Sequence, residues 1–336
     1  MDVEICIAAQ GKCGPVRHYQ LYRSLKPRQS SMNIHENNNM TANLTQGSLQ
    51  VREGSLSWRY AAVDDGEDGT RPVLLFMHAG VTDQTLWDGQ VEYLVDKGWS
   101  CLTFDLLGFG RSHASEEYLR SNPRPPFNMI EHVDILRKAV LPKDSTIIPI
   151  GLSIGASLAL GYTVSRQEVV SGAVLVSGGI GGFDHPNTEA EDRIFKLAEA
   201  LIADGDVQGA ANLQVRIWGD GPLQEPGRMT EPLAEQMLKW NIEICARECS
   251  KTGGLALDTV EPEKPAGKLL NTIDVPVAVA YGSLDETYTV AAMKHVGETA
   301  KSTQVKEFAA AHMVNMEMPD EFNKWLGKWL QSHYLD

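Results

Sequence analysis

Residues 149–160, "PIGLSIGASLAL", constrain the fold of this chain more than any other stretch. An apolar, isoleucine-rich run leads into a serine between two glycines, and an apolar helical pattern follows. A tight strand–turn–helix junction forces the residue at its apex into strained backbone angles. Its close neighbours must then lack side chains, a need that Gly151 and Gly155 meet. The junction lifts the Ser153 hydroxyl above the carboxyl edge of a sheet, where open α/β sheets bind ligands. The bland alternative is a small-residue turn without chemistry. The flanking strand and helix favour a nucleophile, because that context is what G-x-S-x-G requires.

The rest of the chain supplies the sheet. "PVLLFMHAG", "WSCLTFD", "STIIPIGLS" and "VSGAVLVSGG" read as strands buried on both faces. Helical spacing in "TLWDGQVEYLVDKG" and "MIEHVDILRKAV" alternates with them. The alternation predicts a doubly wound α/β fold with a mostly parallel central sheet flanked by helices. It pauses near Gly182, and only helical patterns follow: "EDRIFKLAEALIAD", "VQGAANLQVRIW" and "EPLAEQMLKWNIEICAREC". Strands return at "VPVAVAYGS" and "QVKEFA", before a last helix. Residues 47–182 and 267–336 are thus expected to form the core, with 183–266 an inserted helical cap. Residues 1–46, Asn-rich toward their end, read as a flexible extension.

Composition narrows the partners. With 336 residues the chain can form one large α/β domain with an insertion. A net charge of −14 without a long basic block argues against nucleic acid and anionic membrane surfaces. No run approaches the ~18 apolar residues of a membrane span. The five cysteines, odd in number and irregularly spaced, suit neither a disulfide framework nor a zinc site. Free thiols point to a cytoplasmic location, with organellar import through the basic, acid-free residues 15–31 as the alternative. Nothing in the sequence decides between a monomer and a homo-oligomer.

A serine needs a base, and the base an orienting acid. Both should lie at later strand ends, in the order Ser, Asp, His. Asp285 follows the strand in "VAYGSLDET", and His312 lies between the last strand and the last helix. Glu286 and Asp184 are the rivals of Asp285. The first N–H of the helix after Ser153 belongs to Ile154, which makes it an oxyanion donor, and Gly80 in "MHAGVTD" is the expected second, with Val81 beside it. His78 is expected to hold that loop rather than to react, and "DLLGFGRS" reads as loop architecture. Trp218, Met237 and Trp240 are candidate substrate contacts on the cap; the competing reading is that they pack it onto the core.

Together "MHAG", "DLLGFGRS", "GLSIGAS", "GSLDE" and "AAAHMVNMEMPDEF", in that order, resemble the α/β-hydrolase superfamily from about Ser48 to the C-terminus. Within it the chain is similar to the serine esterase and lactonase branch typified by 3-oxoadipate enol-lactone hydrolases, partly through "RIWGDGP". A serine rather than an aspartate at 153 sets it apart from haloalkane dehalogenases and epoxide hydrolases. "HAGVTD" lacks the Ser-Gly-Pro-Gly loop of carbon–carbon bond hydrolases, no "HGGG" appears, and Met313 stands where Trp is often seen. The resemblance implies cleavage of a small ester or lactone through an acyl-enzyme, without metal or organic cofactor. A transferase or perhydrolase using the same three residues, and a non-catalytic binding protein on the same fold, are the alternatives.

Overall fold

A computed structural model of the chain describes residues 28–29, 42–64 and 71–335. The expectations placed on 1–27 and 30–41, Cys6 and Cys13 among them, lie outside the described residues. The sheet starts with β1 (Arg28–Gln29) and the hairpin β2 (Asn43–Val51) and β3 (Gly54–Ala62). The ordered core, expected from residue 47, therefore begins four residues earlier, within the stretch read as flexible. Its polar start is held because Asn43 to Val51 pair in unbroken antiparallel register with Ala62 to Gly54, and Leu44 packs on the core.

The parallel part follows. Strand β4 (Val73–Met77), helix α1 (Asp88–Val95) and β5 (Cys101–Phe104) come first. A short β6 (His113–Ala114), α2 (Glu116–Arg120) and α3 (Met129–Val140) lead to β7 (Ile147–Leu152). Then come α4 (Ile154–Ser165) and β8 (Ala173–Val176). Between β8 and the next strand the chain forms helices α5 (Glu189–Asp204), α6 (Val207–Gln214) and α7 (Leu233–Cys249). The core resumes with β9 (Val277–Gly282), α8 (Thr287–Thr299), β10 (Thr303–Phe308), α9 (Val314–Glu317) and α10 (Pro319–Tyr334).

The strand order is β1-β2-β3-β5-β4-β7-β8-β9-β10, parallel from β5 to β10, with β6 on β3. The chain first steps from β4 to β5, then crosses to β7 on the other side of β4. That reversal opens a crevice at the carboxyl ends of β4 and β7. Strand alternation divides the core into two layers. Leu74 and Phe76 face Trp87, Phe322 and Trp329 of one layer. Val73, Leu75 and Met77 face Val133, Leu160 and Tyr162 of the other. Each strand from β4 to β9 in the parallel part is buried throughout, which is why these runs are continuously apolar. Among the described residues no helix is long and apolar enough to cross a membrane.

Candidate active site

The turn from β7 into α4 puts Ser153 at φ 59°, ψ −120°, a conformation that L-residues rarely adopt. Its N–H donates to the Val176 carbonyl on the neighbouring strand at 2.9 Å. The two glycines are required by close approach. A Cβ on Gly151 would lie 2.0 Å from the Gly155 carbonyl oxygen, and one on Gly155 would lie 2.2 Å from that of Met77. Backbone therefore fills the space a side chain would need, and the helix starts directly at the serine.

Two strands away, β9 and β10 end side by side, with Phe308 opposite Gly282. The loops that follow bring Asp285 and His312 together. Nδ1 of His312 lies 2.8 and 2.9 Å from the two Asp285 carboxylate oxygens, and both residues are buried. Asp285 Oδ1 also accepts the Glu286 N–H at 2.8 Å. Burial works to lower the His312 pKa, but the charge and hydrogen bond of Asp285, helped by Glu286, override it and leave the imidazole above its ordinary value. Donation from Nδ1 leaves Nε2 as the basic nitrogen. That atom is buried without a hydrogen-bond partner among the described residues, and His312 and Ser153 line one cavity. Of the two rivals, Glu286 turns its carboxyl to the Thr289 hydroxyl at 2.7 Å, and Asp184 is exposed.

The loop after β4 supplies the facing wall. His78 is fully buried and fixes the loop: Nδ1 donates to the Ala79 carbonyl at 2.7 Å, and Nε2 accepts the Leu106 N–H at 2.9 Å. Burial holds its pKa below the ordinary value, so it remains neutral and structural. Asp105 ties the next loop by accepting the Gln84 and Arg111 N–H groups. The amides of Gly80 and Ile154 find no acceptor among the described residues, and both residues line the cavity with Ser153. Preorganised, unpaired N–H groups at a reacting oxygen are what acyl transfer needs.

The inserted helices close the cavity, which has a volume of about 130 Å³. Val81 and Trp218 line it, Trp218 also packs against the core, and its ring lies 4.5 Å from the imidazole of His312. Trp218 lies in a π-helical turn (Val215–Asp220) whose Gly219 carbonyl and Asp220 carboxylate are held by Arg228 and by the Gly227 and Met229 N–H groups, while Arg216 donates to the Gly221 carbonyl just beyond it. Arg228 also pairs with Glu317 at 2.7 Å, and Glu317 accepts the Ala311 N–H at 2.8 Å, which joins this turn to the His312 loop.

Met237 and Trp240 are corrections, since neither lines the cavity. Met237 is wholly buried in the core layer with Met229, and Trp240 packs against both layers. The wall comes instead from the next turns of α7: Asn241, Ile244, Cys245 and Glu248, with Gln214 and Leu255 beside them. The spacing of 241, 244, 245 and 248 is one helical face, and the clue in the sequence was a polar residue at each end of it. Asn241 Nδ2 donates to the carbonyls of Val81 at 3.1 Å and Met237 at 2.8 Å, so it ties α7 to the loop that carries Gly80. Glu248 accepts the Leu255 N–H at 2.9 Å, and burial raises its carboxyl pKa. A wider hollow of about 420 Å³ beside Arg137 and Lys143 holds no nucleophile–base pair.

The α/β hydrolase fold family matches residues 72–319 of the chain. A 3-oxoadipate enol-lactonase of Acinetobacter baylyi is 22% identical over 259 residues, covering 75% of this chain and 86% of its own. A protein of Bacillus subtilis carrying the name putative 2-succinyl-6-hydroxy-2,4-cyclohexadiene-1-carboxylate synthase is 26% identical over 279 residues, covering 82% and 95%. A thermophilic esterase from Thermogutta terrifontis superposes with a TM-score of 0.64 at 21% identity, over 86% of this chain and 99% of the other. The match spans most of the chain and takes in both the elbow after β7 and the paired loops after β9 and β10: this chain belongs to the α/β hydrolase fold family.

Proposed function

We propose that the protein hydrolyses a carboxylic ester or lactone of a small organic substrate through an acyl-enzyme on Ser153. The observation that supports this most is the buried Asp285–His312 pair, whose free Nε2 shares a cavity with a serine on a strained elbow. The relatives named as an enol-lactonase and an esterase support the same chemistry. In this reading residues 183–266 act as a cap over the site.

In the first step Ser153 Oγ attacks the carbonyl carbon while His312 Nε2 takes its proton. The Gly80 and Ile154 amides hold the developing oxyanion, one such donor being worth about 3 kcal/mol in the transition state. The imidazolium, steadied by Asp285, then gives the proton to the departing alkoxide. In the second step His312 deprotonates a water that attacks the acyl carbon, and collapse returns the proton to Ser153 as the acid leaves. The test is release of p-nitrophenol from acetate and butyrate esters, with stoichiometric labelling of Ser153 by a fluorophosphonate. An unlabelled, inactive protein would point to a binding protein instead. Acyl transfer to added alcohol, amine or peroxide in preference to water would make it a transferase or perhydrolase.

A further inference from the structure

The cavity wall formed by α7 carries two polar groups that the reaction does not use. Asn241 is fully buried, and its amide orientation is fixed: Nδ2 meets two carbonyl oxygens, so Oδ1 is the other atom. Oδ1 is buried without a partner among the described residues. Seven residues on, about 10 Å along the helix, stands Glu248. Its Oε1 accepts the Leu255 N–H, and it forms no ion pair among the described residues. Gln214 spends its carbonyl on the Trp218 indole N–H at 2.7 Å, which leaves its amide as the neutral donor of this wall. Among the described residues no Lys or Arg lines the cavity, and Arg247, next to Glu248, is committed to the carbonyls of Gly108 and Gly110. A buried acceptor left unpaired is costly unless a ligand completes it, and the half-buried Glu248 carboxyl on the same wall favours a donor that is cationic.

We infer that this wall selects substrates whose remote end carries a hydrogen-bond donor, ammonium above hydroxyl, and rejects those ending in a carboxylate. The inference deepens the hydrolase reading by naming a substrate class, but the selection is a property of binding and is measured separately from turnover.

Four esters of one chain length decide it: ethyl hexanoate, ethyl 6-hydroxyhexanoate, ethyl 6-aminohexanoate and monoethyl adipate. Calorimetric titration into full-length Ser153→Ala protein gives dissociation constants free of chemistry. The amino ester should bind at least ten-fold more tightly than the adipate ester, with the hydroxy ester between them. Glu248→Gln, which keeps the acceptor for Leu255, should remove most of that ratio, and Glu248→Lys should reverse it. Equal or tighter binding of the adipate ester, no binding of any ester, or a ratio unmoved by Glu248→Gln would overturn the inference. Ethanol release by the unmodified enzyme is read in parallel. Its absence, with the binding preference intact, would retire the hydrolase reading and leave this one standing.

Discussion

The elbow and the α7 wall meet in one cavity, yet they are specified in different ways. At the elbow, backbone atoms stand where side chains would go, and only one choice of residue fits at 151 and 155. On α7 the helix is regular, its buried residues Met237, Asn241, Ile244 and Cys245 form one stripe, and what decides function is which part of that stripe reaches the cavity. The first kind of site is written in residue identity at fixed spacing. The second depends on how far along a helix the cavity reaches, which many sequences could satisfy. Chemistry is therefore expected to be brittle to substitution at the elbow, and selectivity to be adjustable along α7.

The largest effect should come from the nucleophile itself. Ser153→Ala should lower kcat/KM on a p-nitrophenyl ester by about 10⁶, the scale seen when a serine of this kind is removed, with the thermal midpoint hardly moved. A loss below ten-fold would mean that the elbow is only a turn. The glycines should fail differently, through folding. Gly151→Ala places a methyl 2.0 Å from a backbone oxygen that cannot step aside. It should cost about 3 kcal/mol or more by denaturant unfolding. Gly89, exposed in α1 with nothing within 4 Å of an added Cβ, is the control. There the change to alanine should stabilise by about 0.5–1 kcal/mol, so the two substitutions should differ in sign.

The acid side of the pH profile tests the base. His312 must be neutral to accept the serine proton, and its pKa lies above the ordinary histidine value because of Asp285 and Glu286. The plot of log kcat/KM should therefore fall about ten-fold per unit as pH drops through a point above 6.5. Asp285→Asn should move that inflection downward as well as lowering the rate. An acid limb below pH 6 in the unmodified enzyme would separate His312 from the rate-limiting proton transfer.

The same contrast explains what could be read beforehand. Ser153, Asp285 and His312 were legible because each follows an apolar strand run, and adjacent parallel strands bring their carboxyl ends together. His78 was legible because a buried imidazole beside loop carbonyls is cheapest as a neutral brace. The hairpin turn at Arg52 and Glu53 is not legible in the sequence, since neither residue carries the usual turn signal. Apolar bulk on a cap helix marks Trp218, but it reaches His312 through a π-helical turn, where the extra residue rotates everything beyond it. On α7 Met237 shares its face with 241, 244 and 245, so periodicity alone could not say which part of that stripe reaches the cavity. The ties that settle it, Asn241 to Val81 and Arg228 to Glu317, join segments distant in sequence.

Two substitutions one turn apart on α7 give the finest test of the comparison. Asn241→Leu keeps roughly the volume but removes the donor to the Val81 carbonyl, so the loop bearing Gly80 loses a brace. It should lower kcat about ten-fold, because a displaced oxyanion donor acts on the transition state. Met237 sits in the same stripe but below the cavity, fully buried among core side chains. Met237→Leu should change stability by less than about 1.5 kcal/mol and leave KM and kcat within two-fold. The pair is read by steady-state kinetics and denaturant unfolding on the same preparations. If the leucine at 237 altered KM as strongly as the one at 241 altered kcat, the cavity would reach a turn further along α7 than described, and Met237 would belong to the pocket after all.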